Sequence, residues 1–168
     1  AEPRVRTGVW EHTTFHLNPI KRLRRTGLAA MVTIYGARSA AEAMIASVRR
    51  VHDRIAGTTP LGEPYCANDR ELLNWVQGTA AYGFLQAYHA YVQPLLSSER
   101  DRYYAEGVPT AALYGATAAP TSEIGLEDLF QKMRRRLERS DIVFEFLANH
   151  ALGARSAAAV TARAAPFG

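Results

Sequence analysis

The sequence predicts an all-α protein, a single-domain bundle of about six to eight helices with no substantial sheet. Three observations predict it. Helix-start and helix-stop residues follow one another along the chain, with apolar residues at three- and four-residue spacing between them. Strict apolar and polar alternation, the mark of a half-buried strand, is not found in any convincing stretch. With 168 residues, 48% of them hydrophobic, the chain can bury a core without disulfides or metal to hold it. The helical domain is expected over residues 1–152, and an Ala-, Arg-, Ser- and Thr-rich tail over 153–168.

The first clear helix opens at Asn18-Pro19, where asparagine can cap and proline suits the first turn; Ile20, Leu23, Gly27, Ala30, Met31 and Ile34 carry the stripe to Gly36. Ser39 and Glu42 stand at capping-box spacing ahead of a second helix with Met44, Val48, Val51 and Ile55 on one stripe, ending at Gly57. His52 borders that stripe. Thr58 to Pro64 holds two prolines and a glycine and reads as a connection. Asn68 and Glu71 form another capping pair for a long helix through Leu72, Trp75, Val76, Thr79, Tyr82, Leu85 and Gln86 towards Pro94, with Gly78 and Gly83 allowing close packing or a bend. Ser98 and Asp101 start a short helix ending near Gly107, and Pro109 to Gly115 adds a further turn or two. After Pro120, Ile124, Leu126, Leu129, Phe130, Met133 and Leu137 outline an amphipathic helix whose triple arginine, Arg134 to Arg136, reads as a solvated face.

A single cysteine, Cys66, excludes an intrachain disulfide and a thiolate-rich zinc site, so a reducing, cytoplasmic location is the simpler expectation. The nearly apolar run Gly27 to Ala37 falls well short of the roughly 20 residues a membrane-spanning helix needs. No targeting segment is visible in the chain itself, and one lying upstream of Ala1 stays open. The formal charge of +4 is clustered at Lys21 to Arg25, Arg49-Arg50 and Arg134 to Arg136. Acidic neighbours beside most clusters, and the absence of zinc-finger or RNA-binding strand motifs, argue against a nucleic-acid partner.

Five histidines are candidates for metal or proton chemistry: His12, His16, His52, His89 and His150. His52 stands out because it borders an apolar stripe and because Arg49, one turn earlier on the same side, can pair with a carboxylate. A hydrogen-bonded core histidine is the ordinary alternative.

Short motifs then recur in order: Gly8-Val9-Trp10-Glu11-His12, Asn18-Pro19, Arg22-Leu23-Arg24-Arg25-Thr26, Arg49-Arg50-Val51-His52, Ile55-Ala56-Gly57, Tyr65-Cys66-Ala67-Asn68-Asp69 and Leu72-Leu73-Asn74-Trp75-Val76. Pro94-Leu95, Asp101 to Tyr104 and Pro120-Thr121 follow. In this order, from Ala1 to about Leu147, the chain resembles the rubber oxygenase (latex-clearing protein) and MpaB oxygenase family. The resemblance implies a helical haem b-dependent oxygenase-like oxidoreductase that acts with dioxygen on an apolar, unsaturated substrate. Rubber-cleaving members add dioxygen across a carbon–carbon double bond to give carbonyl products. It also implies that His52 is the iron ligand, that Arg22 and Thr26 are catalytic residues on the distal side, and that Arg49 and Arg25 contact the cofactor or its ligand helix.

Three departures from the family pattern bear on this. Arg25 stands where rubber-cleaving members carry lysine, and a guanidinium cannot be a reversible nitrogen ligand. Gln77 stands where many relatives carry histidine. Ala1 to Val5 begins inside a family motif, so upstream helices, a homo-oligomer or a partner completing the domain are expected. Two rival readings stay open: a non-haem metal site built from Glu11, His12 and His16 with His89 or His52, and a cofactor-free helical interaction module in which Tyr82, Tyr88, Tyr91, Tyr103 and Tyr104 are core or interface aromatics.

Overall fold

A computed structural model describes residues 1–13 and 18–145. The fold is all-α, with six helices of nine residues or more, a further helical turn over residues 141–145 and a single two-stranded hairpin among the described residues. The order is α1 (Pro3–Glu11), α2 (Pro19–Tyr35), α3 (Arg38–His52), β1 (Ala56–Thr58), β2 (Pro64–Cys66), α4 (Arg70–Tyr91), α5 (Ser97–Tyr114) and α6 (Glu123–Arg134). The tail over 153–168 lies outside the described residues.

Helix α1 precedes the first helix that the sequence marked. Its start is set by Glu2, whose carboxylate accepts from Val5 N at 2.8 Å while Pro3 fills the first turn. Glu2 also binds Arg4 at 2.7 Å, and Arg4 reaches Glu71 of α4 at 2.8 Å. Arg136, expected on a solvated face, meets the same Glu71 carboxylate at 2.8 Å. This network fastens α1 and the end of α6 to the start of α4. Breaking a buried pair leaves an uncompensated charge, so its value lies in fixing geometry more than in net stability.

Helix α2 starts where expected, with the Asn18 side chain accepting from Lys21 N at 3.0 Å. Its apolar stripe does not face the bundle: Leu23, Leu28, Met31, Ile34 and Tyr35 are exposed. The half-buried residues are Arg22, Ala29, Ala30, Val32 and Thr33, and the Thr33 hydroxyl meets Tyr114 Oη at 2.9 Å. Small residues and a threonine thus make the side that faces inward.

Helix α3 differs from expectation at both ends. No side chain caps its start, since Glu42 pairs with Arg38 at 2.8 Å in place of a capping box with Ser39. It stops at His52, short of Gly57, because Arg54 and Ile55 turn back onto Val51 and His52 carbonyls and Ala56 enters a strand. The expected connection over Thr58 to Pro64 is the turn of an antiparallel hairpin in which Gly57 faces Tyr65.

Asp69, not Asn68, caps α4, accepting from Leu72 N at 3.0 Å. The two short helices expected across Ser98 to Gly115 are one, α5, with Pro109 inside it. Glu99 accepts from Leu96 N at 2.8 Å at its start, and Gly115 ends it in the left-handed region at φ 102°. Ser122 caps α6, and Asp101 of α5 accepts from Glu123 N at 2.8 Å. The core lies where α4, α5 and α6 meet, around Leu85, Tyr104 and Leu126, with Phe130 edge-on to both Trp75 and Tyr82. Tyr104 is the buried one among the five tyrosines considered above; Tyr82, Tyr88, Tyr91 and Tyr103 are exposed.

Candidate functional site

The chain's local folding places His52 at the last position of α3, where the hairpin begins. Pairing of Ala56 with Cys66, extended by the Ala67 N to Ile55 O bond at 2.9 Å, folds the chain back on itself. That return sets Asn68 against the C-terminus of α3. Asn68 Nδ2 donates to the Arg49 carbonyl at 3.3 Å and to Asp53 Oδ1 at 2.6 Å. The carboxamide also lies close enough to the His52 imidazole to act on its protonation.

His52 is half-buried. Burial holds its pKa below the usual histidine value; Asn68 opposes that shift, the Arg22 cation reaching across from α2 reinforces it, and Asp53 opposes it. The depression wins, so the ring is neutral at physiological pH and keeps a nitrogen lone pair. Arg22 and Thr26 lie one turn apart on α2, and the Thr26 hydroxyl is hydrogen-bonded to the guanidinium and to the Arg22 carbonyl. Burial, with Arg25 nearby, lowers the Arg22 pKa, and its Nε is buried without a hydrogen-bond partner among the described residues. A half-buried guanidinium with a buried, unused N–H is a ready donor to an oxygen brought by a ligand.

Arg22 thus lies close enough to His52 to act on its charge, and Thr26 is bonded to Arg22. Arg25 is exposed, close enough to Arg22 to act on its charge. Arg49 turns the other way: its Nη1 donates to the Leu113 carbonyl at 3.3 Å, the cation sitting on the C-terminal turn of α5. It braces the histidine's helix against α5. Asn68 and Asp53 were missed by sequence reasoning, because Asn68 two residues before a helix reads as a capping residue.

Of the rival metal site's described residues, Glu11 and His12 are both engaged by Tyr65, and His89 is engaged at the α4–α5 turn. Tyr65 Oη donates to Glu11 Oε2 at 2.9 Å and meets His12 Nε2 at 3.2 Å, and the ring is buried against Gly8 and Gly57. Burial, helped by Glu11, raises the Tyr65 pKa. His89 Nδ1 accepts from Leu95 N at 2.8 Å and closes the α4–α5 turn. His16 and His150 lie outside the described residues. No group of three His, Cys, Asp or Glu side chains able to hold a metal ion occurs among the described residues.

Two clefts lie elsewhere. One, of about 290 Å³, runs between α1 and the segment following α6, lined by Arg6, Trp10, Glu11 and Glu138; the other, of about 380 Å³, sits beside Trp75 and Phe130. His52 lines neither. Among the described residues no helix is long and apolar enough to cross a membrane.

A single half-buried imidazole, without companion ligands, fits a group that brings most of its own coordination, as haem does. The unpartnered Arg22 N–H fits the same group through a carboxylate or a small oxygen ligand. Neither a curated protein nor a solved structure matches the chain. The sequence model of one family, described as the ER-bound oxygenase mpaB/B'/Rubber oxygenase catalytic domain, matches residues 1–167, and the chain belongs to that family.

Proposed function

We propose that the chain is a haem b-dependent oxygenase, acting with dioxygen on an apolar, unsaturated small molecule. The observation that carries the reading is a neutral, half-buried imidazole at the end of α3, within electrostatic reach of a half-buried guanidinium on α2 whose Nε is buried without a partner among the described residues. Haem, when bound, supplies the iron at which dioxygen is activated.

The chain's own residues divide the remaining work. His52 would hold the haem iron through a ring nitrogen, and its depressed pKa keeps that nitrogen's lone pair free of a proton. Arg22 donates an N–H towards oxygen, oriented by the Thr26 hydroxyl on its guanidinium. Arg49 holds the helix that carries His52 by its bond to Leu113 O. Arg25 supplies positive charge from the exposed side of α2 and, always protonated, neither ligates nor shuttles a proton. Adding both oxygen atoms across a carbon–carbon double bond breaks that bond and leaves two carbonyls. The balance needs no further reductant.

Haem titration of the full chain tests this. The expected result is an intense Soret band at one haem per chain, lost in His52→Ala with helical circular dichroism retained. A normal band in His52→Ala removes His52 as the ligand. No uptake by the folded wild-type chain removes haem and leaves a cofactor-free helical relative.

A further inference from the structure

The Asn68 carboxamide is not free to choose its orientation. Its Nδ2 lies between two acceptors, the Arg49 carbonyl at 3.3 Å and Asp53 Oδ1 at 2.6 Å. Turning the amide over would set its oxygen against both, so the assignment follows from chemistry. Oδ1 must then point away from the helix end. There it is buried and has no completed hydrogen bond among the described residues, although a buried carbonyl oxygen without a donor is costly. Arg49 and Asp53, which hold Nδ2, flank His52 at the end of α3, and the carboxamide lies close enough to the ring to act on its protonation.

We infer that Asn68 is the positioning residue for His52, its Oδ1 accepting the N–H of one ring nitrogen so that the lone pair of the other is presented to the ligand site. The juxtaposition is built by the hairpin: pairing of Ala56 with Cys66 and of Ile55 O with Ala67 N brings the next residue, Asn68, back to the end of α3. Asp69 caps α4 in its place, which leaves Asn68 for this task. A neutral imidazole has two tautomers, and only one leaves the outward nitrogen able to ligate. An acceptor on the inward N–H selects that tautomer and makes the ligating nitrogen a stronger base. Because the acceptor is a neutral amide, it does this without adding negative charge beside the ring.

The inference rests on the proposed role of His52, and its test separates the two. In the full chain before haem addition, nitrogen-15 histidine spectra at pH 8 should show His52 mainly as one tautomer. Asn68→Ala should shift the ratio towards the alternative roughly five-fold, the change that goes with one ordinary hydrogen bond. Asp53→Ala weakens the same helix-end contact without removing Oδ1, and it should leave the ratio near that of the wild type. If Asn68→Ala loses its helical circular dichroism, Asn68→Ser carries the same readout with a smaller change in volume. After haem addition, Asn68→Ala should still give a Soret band but with a more positive reduction potential, since a less basic ligand favours ferric iron less. An unchanged tautomer ratio together with an unchanged potential, in a chain that loads haem through His52, overturns the role of Asn68 alone. A tautomer shift in a chain that takes up no haem supports the Asn68–His52 bond and overturns the haem reading instead.

Discussion

Gly57→Ala tests whether the hairpin that orders the site is as tightly built as its geometry indicates. A Cβ at position 57 would stand 2.6 Å from Tyr65 Oη, 2.8 Å from Cζ and 3.2 Å from Cε1. Ordinary carbon contacts lie near 3.5 to 4.0 Å, so the ring must retreat by about an ångström. Retreat is limited on the opposite edge, where the ring packs so closely over Gly8 that a Cβ there would stand 3.2 Å from Cε2. The hydroxyl is also held, by Glu11 at 2.9 Å and His12 at 3.2 Å. Overpacking of this kind costs roughly 1–3 kcal/mol, and losing the bond to an ionised carboxylate adds about 1 kcal/mol at a site as open as Glu11, for a total of about 2–4 kcal/mol. In urea, with a slope of about 2 kcal/mol per molar, the midpoint should fall by about 1–2 M at constant slope. Removing the nearest atom with Tyr65→Phe should relieve part of the clash, so the double variant should lose less than the sum of the singles. A Gly57→Ala chain within about 0.5 kcal/mol of wild type, or strict additivity with Tyr65→Phe, refutes the packing argument.

Two further outcomes follow from the site and the core. Arg22→Ala should retain stoichiometric haem uptake but change the rates at which the loaded chain takes up and releases dioxygen; stopped-flow traces identical to wild type would take Arg22 out of the distal side. Burial, with Glu123 adding to it, pushes Tyr104 up to about 12, whereas an unfolded tyrosine ionises near 10. Between those values the native chain keeps a proton that the unfolded chain has lost, so stability should fall as pH rises through that window. Urea midpoints measured across it should fall less steeply in Tyr104→Phe, and an equally steep fall in that variant would assign the loss to other groups.

The local signals in the sequence were read well where one residue decides the outcome, and poorly where two residues compete. Asn18-Pro19 starts α2 because nothing nearby contests the cap. Ser39 and Glu42 have the spacing of a capping box, but Arg38 takes the Glu42 carboxylate first. Asn68 and Asp69 both can cap α4; the aspartate does, and the asparagine is released to the end of α3. Pro109 looked like a break worth about 3 kcal/mol, yet α5 runs through it, with Tyr104 and Ala111 buried on either side and offsetting the lost bond. Strands of three residues are too short to show alternation, so the hairpin was invisible in the pattern. For α2 the period was legible and the direction was not, since periodicity locates an apolar stripe without saying what it faces. Of the residues that the motif order singled out, Thr26 is bonded to Arg22 on α2, and Arg49 is bonded to Leu113 O of α5. The amide behind the histidine depends on hairpin register, which no linear spacing reports.

The protonation state of His52 is where these features act on one atom. Its place in the last turn of α3, beside the helix carbonyls, favours the cation; that effect is typically below about 1 kcal/mol at exposed sites and reaches about 2 kcal/mol when partly buried. Asp53 and Asn68 pull the same way. A histidine there would ordinarily be a pH-sensitive helix cap, charged below neutrality and useless as a ligand. Burial and the Arg22 cation oppose this and prevail. Arg22 can hold that role at any physiological pH because its guanidinium stays protonated even with its pKa lowered. Arg22 thus adds to the effect of burial in holding the imidazole neutral, while its own Nε is left without a hydrogen-bond partner among the described residues. A lysine in its place could release its own proton when buried and give up the first effect, which is a physical reason for arginine at position 22.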